Sequence, residues 1–121
     1  YDEAVELQHK RLEVNKQLGD LDGIAAADWA LAKIDLAQQD YPSAIPRLLE
    51  SFQILCQLQR ADGIATVGMT LGGLMLAAGL TDEARQVLGE SLAAATKIGH
   101  RSLTRQINEL LNRPVEGNEE T

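Results

Sequence analysis

Aromatic residues are almost missing from this chain. Phe, Trp and Tyr together make up 3% of 121 residues, with one tryptophan and one phenylalanine. Sheets draw on aromatic and β-branched side chains to fill their faces, so this composition argues against a β fold. Hydrophobic residues still reach 45%. The core must therefore be aliphatic and alanine-rich. Ala and Leu are strong helix formers, and small side chains let helices approach closely. An all-α class is expected.

Other shortages narrow the function. The single cysteine, Cys56, permits no disulfide within the chain, so nothing points to an oxidising compartment and a cytoplasmic location is expected. Basic residues are outnumbered, 11 Lys and Arg against 18 Asp and Glu, giving a net charge of −7. That balance repels a phosphate backbone, and no Lys/Arg cluster offsets it, so nucleic acid is not an expected partner. The only histidines, His9 and His100, lie near opposite ends without an HxxxH or CxxC companion. Cys56 falls on an apolar helical stripe, where a cysteine serves as a small core hydrophobe. No Ser/His/Asp or Cys/His arrangement can be assembled. The sequence thus leads us to expect a non-enzyme with no metal and no cofactor. No leader peptide is visible, and the chain opens at Tyr1 inside a helical pattern, as expected of a domain excised from a longer protein.

The longest uncharged run spans Gly63 to Leu80. Its length suits a membrane span, and Gly68-x-x-x-Gly72 would suit helix association in lipid. The run's glycines, with Thr66 and Thr70, dilute its hydrophobicity. It is also a second copy of a charged segment. Sliding the chain by forty residues pairs Asp22-Gly23-Ile24-Ala25 with Asp62-Gly63-Ile64-Ala65, and Leu31, Leu36 and Ala37 with Leu71, Leu76 and Ala77. Tyr1, Ala4 and Leu18 pair with Tyr41, Ala44 and Leu58, and Ala44, Leu48, Glu50 and Ser51 with Ala84, Leu88, Glu90 and Ser91. The first copy carries Asp28, Lys33 and Asp35 in the register of the uncharged run. A buried helix of a repeat array explains both copies, and no membrane insertion is expected. Gly68, Gly72 and Gly73 then serve close helix approach, each at a cost of about 1 kcal/mol in propensity. Gly68 to Gly73 lacks the Lys and Ser/Thr of a phosphate loop, and Asp20-x-Asp22-Gly23 lacks the later ligands of a calcium loop. N-capping is the expected task of those aspartates.

Each forty-residue unit holds two helical patterns. Ala44, Ile45, Leu48, Leu49, Phe52, Leu55 and Cys56 recur at three- and four-residue steps, one apolar stripe. Asp40 is placed as an N-cap, with Pro42 tolerated in the first turn. Pro46 removes a bond to the Pro42 carbonyl, so a bend or a 3₁₀ start is expected. Gly19 and Gly99 suit the left-handed position past a helix end. Thr81 or its neighbour caps the next helix, with Asp82 and Glu83 favourable to the helix dipole. Six helices follow, near 2–18, 22–38, 41–58, 62–78, 81–98 and 101–112. In the last, Leu103, Ile107, Leu110 and Leu111 make one apolar face and the rest is polar, as a solvated terminal cap requires. Pro114 stops it, and 114–121 is expected to be a disordered tail.

The spacing Leu71-Gly72, Met75, Gly79, Ala84, Leu88 and Ser91 resembles the tetratricopeptide repeat, in an extended variety with a forty-residue period. The first unit departs from the pattern, with Leu31-Ala32 for Leu-Gly, Asp35 for a large residue and Gln39 for the turn glycine. The resemblance covers 1–113: a lone second helix at 1–18, repeats at 22–58 and 62–98, and a cap at 101–112. It implies a right-handed α-solenoid of antiparallel helix pairs whose first helices line a peptide-binding groove. Carried over, the groove takes Ala26, Trp29, Lys33 and Leu36 from the first unit. The second supplies Thr66, Met69, Thr70, Gly73 and Leu76, and the cap Gln106, Glu109 and Arg113. Trp29 reads equally as a binding anchor or as inter-helix core. Apart from Lys33 the family's carboxylate-clamping pattern is missing, so an apolar or helical segment of another protein is the expected ligand. Two alternatives stand beside it. One is self-association, or stacking on upstream repeats, through the first helix and its Ala4, Gln8, Arg11 and Asn15 face. The other is a sensory or scaffolding segment of a larger signalling protein or enzyme.

Overall fold

In the computed structural model, which describes residues 2–18 and 20–112, the chain is helical and contains no strand among those residues. Six helices follow in order: α1 Asp2–Leu18, α2 Leu21–Ala37, α3 Tyr41–Leu58, α4 Ala61–Ala77, α5 Thr81–Lys97 and α6 Arg101–Leu111. All boundaries lie within one residue of those expected from periodicity. From α2 onward each helix begins twenty residues after the last, so the forty-residue repeat is two equal helix-plus-turn steps.

The turns explain this regularity. Gln39, Gln59, Gly79 and Gly99, spaced by twenty, are all left-handed, with φ of 58°, 58°, 83° and 70°. In each turn the next residue donates its N–H to the carbonyl five back: Asp40 to Asp35, Arg60 to Leu55, Leu80 to Met75 and His100 to Ala95, at 2.8 to 3.0 Å. The left-handed residue itself donates to the carbonyl three back, at 3.0 to 3.1 Å. This paired pattern satisfies carbonyls that a helix end leaves bare. The same residue that closes one helix opens the next: Asp40, Leu80 and His100 accept from the amides of Ala44, Ala84 and Thr104. Gly19, expected with Gly99 to be left-handed, lies outside the described residues, as does the segment 113–121.

Capping follows the sequence in part. Asp20 Oδ1 accepts from the Gly23 amide at 3.0 Å and Asp40 Oδ1 from Ser43 at 3.3 Å. At α5 the cap position falls on Leu80, the neighbour of Thr81; it offers no side-chain acceptor, and Thr81 is already helical. At Pro46 no 3₁₀ start occurs, because α3 is α-helical from Tyr41 through Leu58. Pro42 and Pro46 are both exposed, so neither ring displaces core packing, and the helix continues past the missing amide.

The chain divides into two compact units at Arg60 and Ala61. In the first, α2 packs on α1 and on α3. Its α2–α3 hairpin is antiparallel, as three cross-links show: Asp22 with Arg60, the Ala25 carbonyl with Ser51, and Asp35 with Arg47. Leu31, Ala32, Ala44 and Leu48 are fully enclosed, and Ile24, Ala25 and Ile54 form a cluster backed by Leu21, Leu55 and Leu58. A buried leucine contributes about 2 kcal/mol, so two or three such positions hold the hairpin closed.

In the second unit α4, α5 and α6 all touch one another. Ala65, Leu88, Ala94, Ala95, Leu103 and Ile107 make its core, with Ile64, Met69, Leu76 and Leu110 against it. Gly72 is required by this packing, since a Cβ there would stand 2.5 Å from Leu88 Cγ. Gly73 is not, because its Cβ would meet only Leu110 Cδ1 at 3.9 Å, so close approach does not account for that glycine. Gly68 is buried. The serines at equivalent positions do the same work in both units: Ser51 Oγ donates to the Ala25 carbonyl at 2.9 Å, and Ser91 Oγ to Ala65 at 2.6 Å. Both serines are wholly enclosed, and the second lone pair of each helical carbonyl satisfies them.

Candidate interaction surface

The residues expected to line a groove are found on both units, and each unit builds its part separately. In the first, Trp29 is half-buried and its indole carries the Lys33 ammonium at 5.3 Å from the ring centroid. The two stand four residues apart on α2, the spacing that brings side chains together on one helix face. Trp29 is therefore neither free anchor nor enclosed core, and one ring face is covered by a cation. Leu36 is half-buried, and Ala26 and Lys33 are exposed.

The second unit carries a concave feature. Met69, Thr70 and Gly73 of α4 meet Gln106 and Glu109 of α6 around an open depression of about 370 Å³. Five of the expected residues are brought together here. Leu74 and Leu110 also line it, and the sequence reading did not assign them. Leu110 was visible as the edge of the apolar stripe of α6. Leu74 carried no such signal, lying in a run where every neighbour is apolar or small.

The chemistry of the depression follows from those residues. Gly73 offers no side chain, so the backbone of α4 forms part of the floor, with thioether and isobutyl groups beside it. The rim is an amide and a carboxylate. Gln106 donates to Ser102 Oγ at 3.3 Å, so a ligand would draw on its carbonyl oxygen and second N–H. Thr70 and Thr66 turn their hydroxyls back onto the carbonyls of Thr66 and Asp62, at 3.3 and 3.1 Å. Neither hydroxyl is therefore a free donor. Thr66 is exposed and does not line the depression, and Leu76 packs into the core instead. Arg113 lies outside the described residues.

Other candidate groups have structural tasks. His100 caps α6, its Nδ1 accepting from the Leu103 amide at 3.1 Å. Cys56 is half-buried at the end of the α3 stripe. Among the described residues no three His, Cys, Asp or Glu side chains gather closely enough to hold a metal ion. No helix among them is long and apolar enough to cross a membrane. The uncharged run passes the end of α4, a helix of 17 residues, about 25 Å at 1.5 Å per residue against a hydrocarbon core of about 30 Å.

No protein-family model matches this sequence, and no curated protein is similar enough to it to count as a relative.

Proposed function

We propose that the chain is a tetratricopeptide-type repeat domain, a right-handed α-solenoid that performs no catalysis and binds a peptide or helix of another protein. The observation carrying this reading is the duplication of packing contacts forty residues apart, with Ser51 on Ala25 and Ser91 on Ala65. A repeat conserved in its packing presents its variable faces as the working surface. The ligand-facing part is the depression between α4 and α6. Its apolar floor and mixed rim suit one apolar side chain of a bound segment, with backbone groups reaching Gln106. Trp29 with Lys33 is a second contact point on α2, and Trp is a common hot-spot residue.

Peptides selected from a random display library against the whole chain test this. Binding should protect amides of α4 and α6 from hydrogen exchange. It should weaken roughly tenfold in Met69→Ala and in Thr70→Arg, which fills the depression. Trp29→Ala should weaken those selected peptides that instead protect amides of α2. Thermal melting of each variant reports whether the fold survives. Selected peptides that bind all three folded variants unchanged would sink this assignment of the surface.

A further inference from the structure

The outer stripe of α6 repeats a helix-receiving face, but with the chemistry changed. Arg101, Thr104, Arg105, Asn108, Glu109 and Asn112 line an open cleft of about 720 Å³. They recur at three- and four-residue steps, one stripe of one helix. Forty residues earlier the same stripe of α4 reads Ala61, Ile64, Ala65, Gly68, Met69 and Gly72. That is the face on which α5 lies, as Ser91 on the Ala65 carbonyl and Leu88 over Gly72 show. On α4 the stripe is small and apolar and covered. On α6 two arginines and two asparagines replace the small residues, and none of the described residues covers the stripe.

We propose that this stripe is a docking seat for an acidic α-helix of another protein. The chain carries a net charge of −7, yet two cations stand four residues apart in a face whose counterpart seats a helix. Among the described residues neither Arg101 nor Arg105 is held in an ion pair. Glu109 is the stripe's one acidic member and stands at its edge, since it also lines the depression against α4. The register comes from the α4–α5 hairpin. Arg105 occupies the place of Ala65 and so faces the counterpart of Ser91. Arg101, one turn earlier, faces the counterpart of Ala95 on the antiparallel partner. The docked helix therefore needs carboxylates at two positions four residues apart. A second copy of this chain is a poorer occupant. Its α1 stands two repeats before α5, and in that register Arg11 takes the place of Ser91 and would meet Arg105, cation against cation. The proposal stands on the duplicated packing and is independent of the depression between α4 and α6.

The probe is a peptide of the Thr81–Lys97 sequence, held helical by a staple on its opposite face and carrying Ser91→Glu and Ala95→Glu. Fluorescence anisotropy with the whole chain should show it binding about tenfold tighter than the same peptide with glutamines. The preference should vanish in Arg101→Glu/Arg105→Glu, and a peptide with lysines at both positions should bind that variant. Both arginines are exposed, so circular dichroism and melting should be unchanged by the reversal. Thr70→Arg should leave binding of this probe intact, which separates the seat from the depression. Equal affinity for glutamate and glutamine peptides, no binding at all, or a preference that survives the reversal overturns the proposal. Self-association in sedimentation that Arg105→Glu abolishes also overturns it and assigns the seat to a second copy.

Discussion

The Arg47 guanidinium donates to Asp35 Oδ2 at 2.6 Å across the α2–α3 hairpin, with Asp35 almost enclosed. Forty residues on, the same two positions hold Met75 and Val87, both buried. One hairpin thus fills this site with an ion pair and the other with two apolar side chains. Either solution is self-consistent, whereas a mixture of the two leaves a buried charge without its partner. Arg47→Val alone should cost about 3 kcal/mol, read as a lower urea midpoint. The double change Asp35→Met/Arg47→Val should return the protein to within about 1 kcal/mol of the parent or above it. Additive losses in this cycle would show that the pair is not a unit.

Gly72 and Gly73 are adjacent, and their substitutions should move stability in opposite directions. Gly72→Ala drives a methyl into Leu88, which is fully enclosed and has nowhere to move, so a net loss of about 1–2 kcal/mol is expected despite the better helix propensity. Gly73→Ala places its methyl in ordinary contact with Leu110 and should gain roughly 0.5–1 kcal/mol. Thermal melting of the two single variants decides this.

Gln39 and Gln59 pay a steric penalty that Gly79 and Gly99 do not, since a left-handed residue with a Cβ is strained by about 1 kcal/mol. Both glutamine side chains are exposed, so nothing in the packing offsets that strain. Gln39→Gly and Gln59→Gly should each raise the melting temperature, and together their effects should add, because the turns lie at separate places. Glycine lowering stability at either turn would mean that the glutamine side chain does more than the backbone geometry shows.

His100 accepts the Leu103 amide at the head of α6, a helix of 11 residues and the shortest of the six. His100→Ala should cost about 1 kcal/mol, and His100→Asn should recover most of it through an equivalent cap. Faster hydrogen exchange at the Leu103 amide in the alanine variant, absent from the asparagine one, is the local signature.

Much of the architecture was legible because it repeats. Asp22-Gly-Ile-Ala and Asp62-Gly-Ile-Ala announce the period, and the three- and four-residue stripes within it report which face of each helix turns inward. Gly99 marks a left-handed stop because that conformation favours a residue without Cβ. Periodicity was equally able to say that Ser51 and Ser91 are equivalent. It was silent on what they bond, and it made Gly72 and Gly73 look alike. On the surface side, Met69, Thr70, Gly73 and Gln106 were named from the resemblance to a repeat family, and the second unit brings them to one depression. Leu74 was missed because a run without charged residues, with only apolar or small neighbours at hand, gives no contrast from which a lining residue can be read.

What the sequence determined by itself is local and periodic: the all-helical class, the helix starts at twenty-residue steps, the aspartate caps and the inward faces. These depend on propensity and on neighbours within a few residues, which the chain order contains. What the tertiary structure decided is which side chain stands opposite which: Arg47 at Asp35, Ser91 at the Ala65 carbonyl, Leu88 over Gly72, Leu110 beside Gly73. Those partners are 12 to 37 residues apart in sequence, and ångström-scale offsets between packed helices choose among candidates that helical periodicity leaves equivalent.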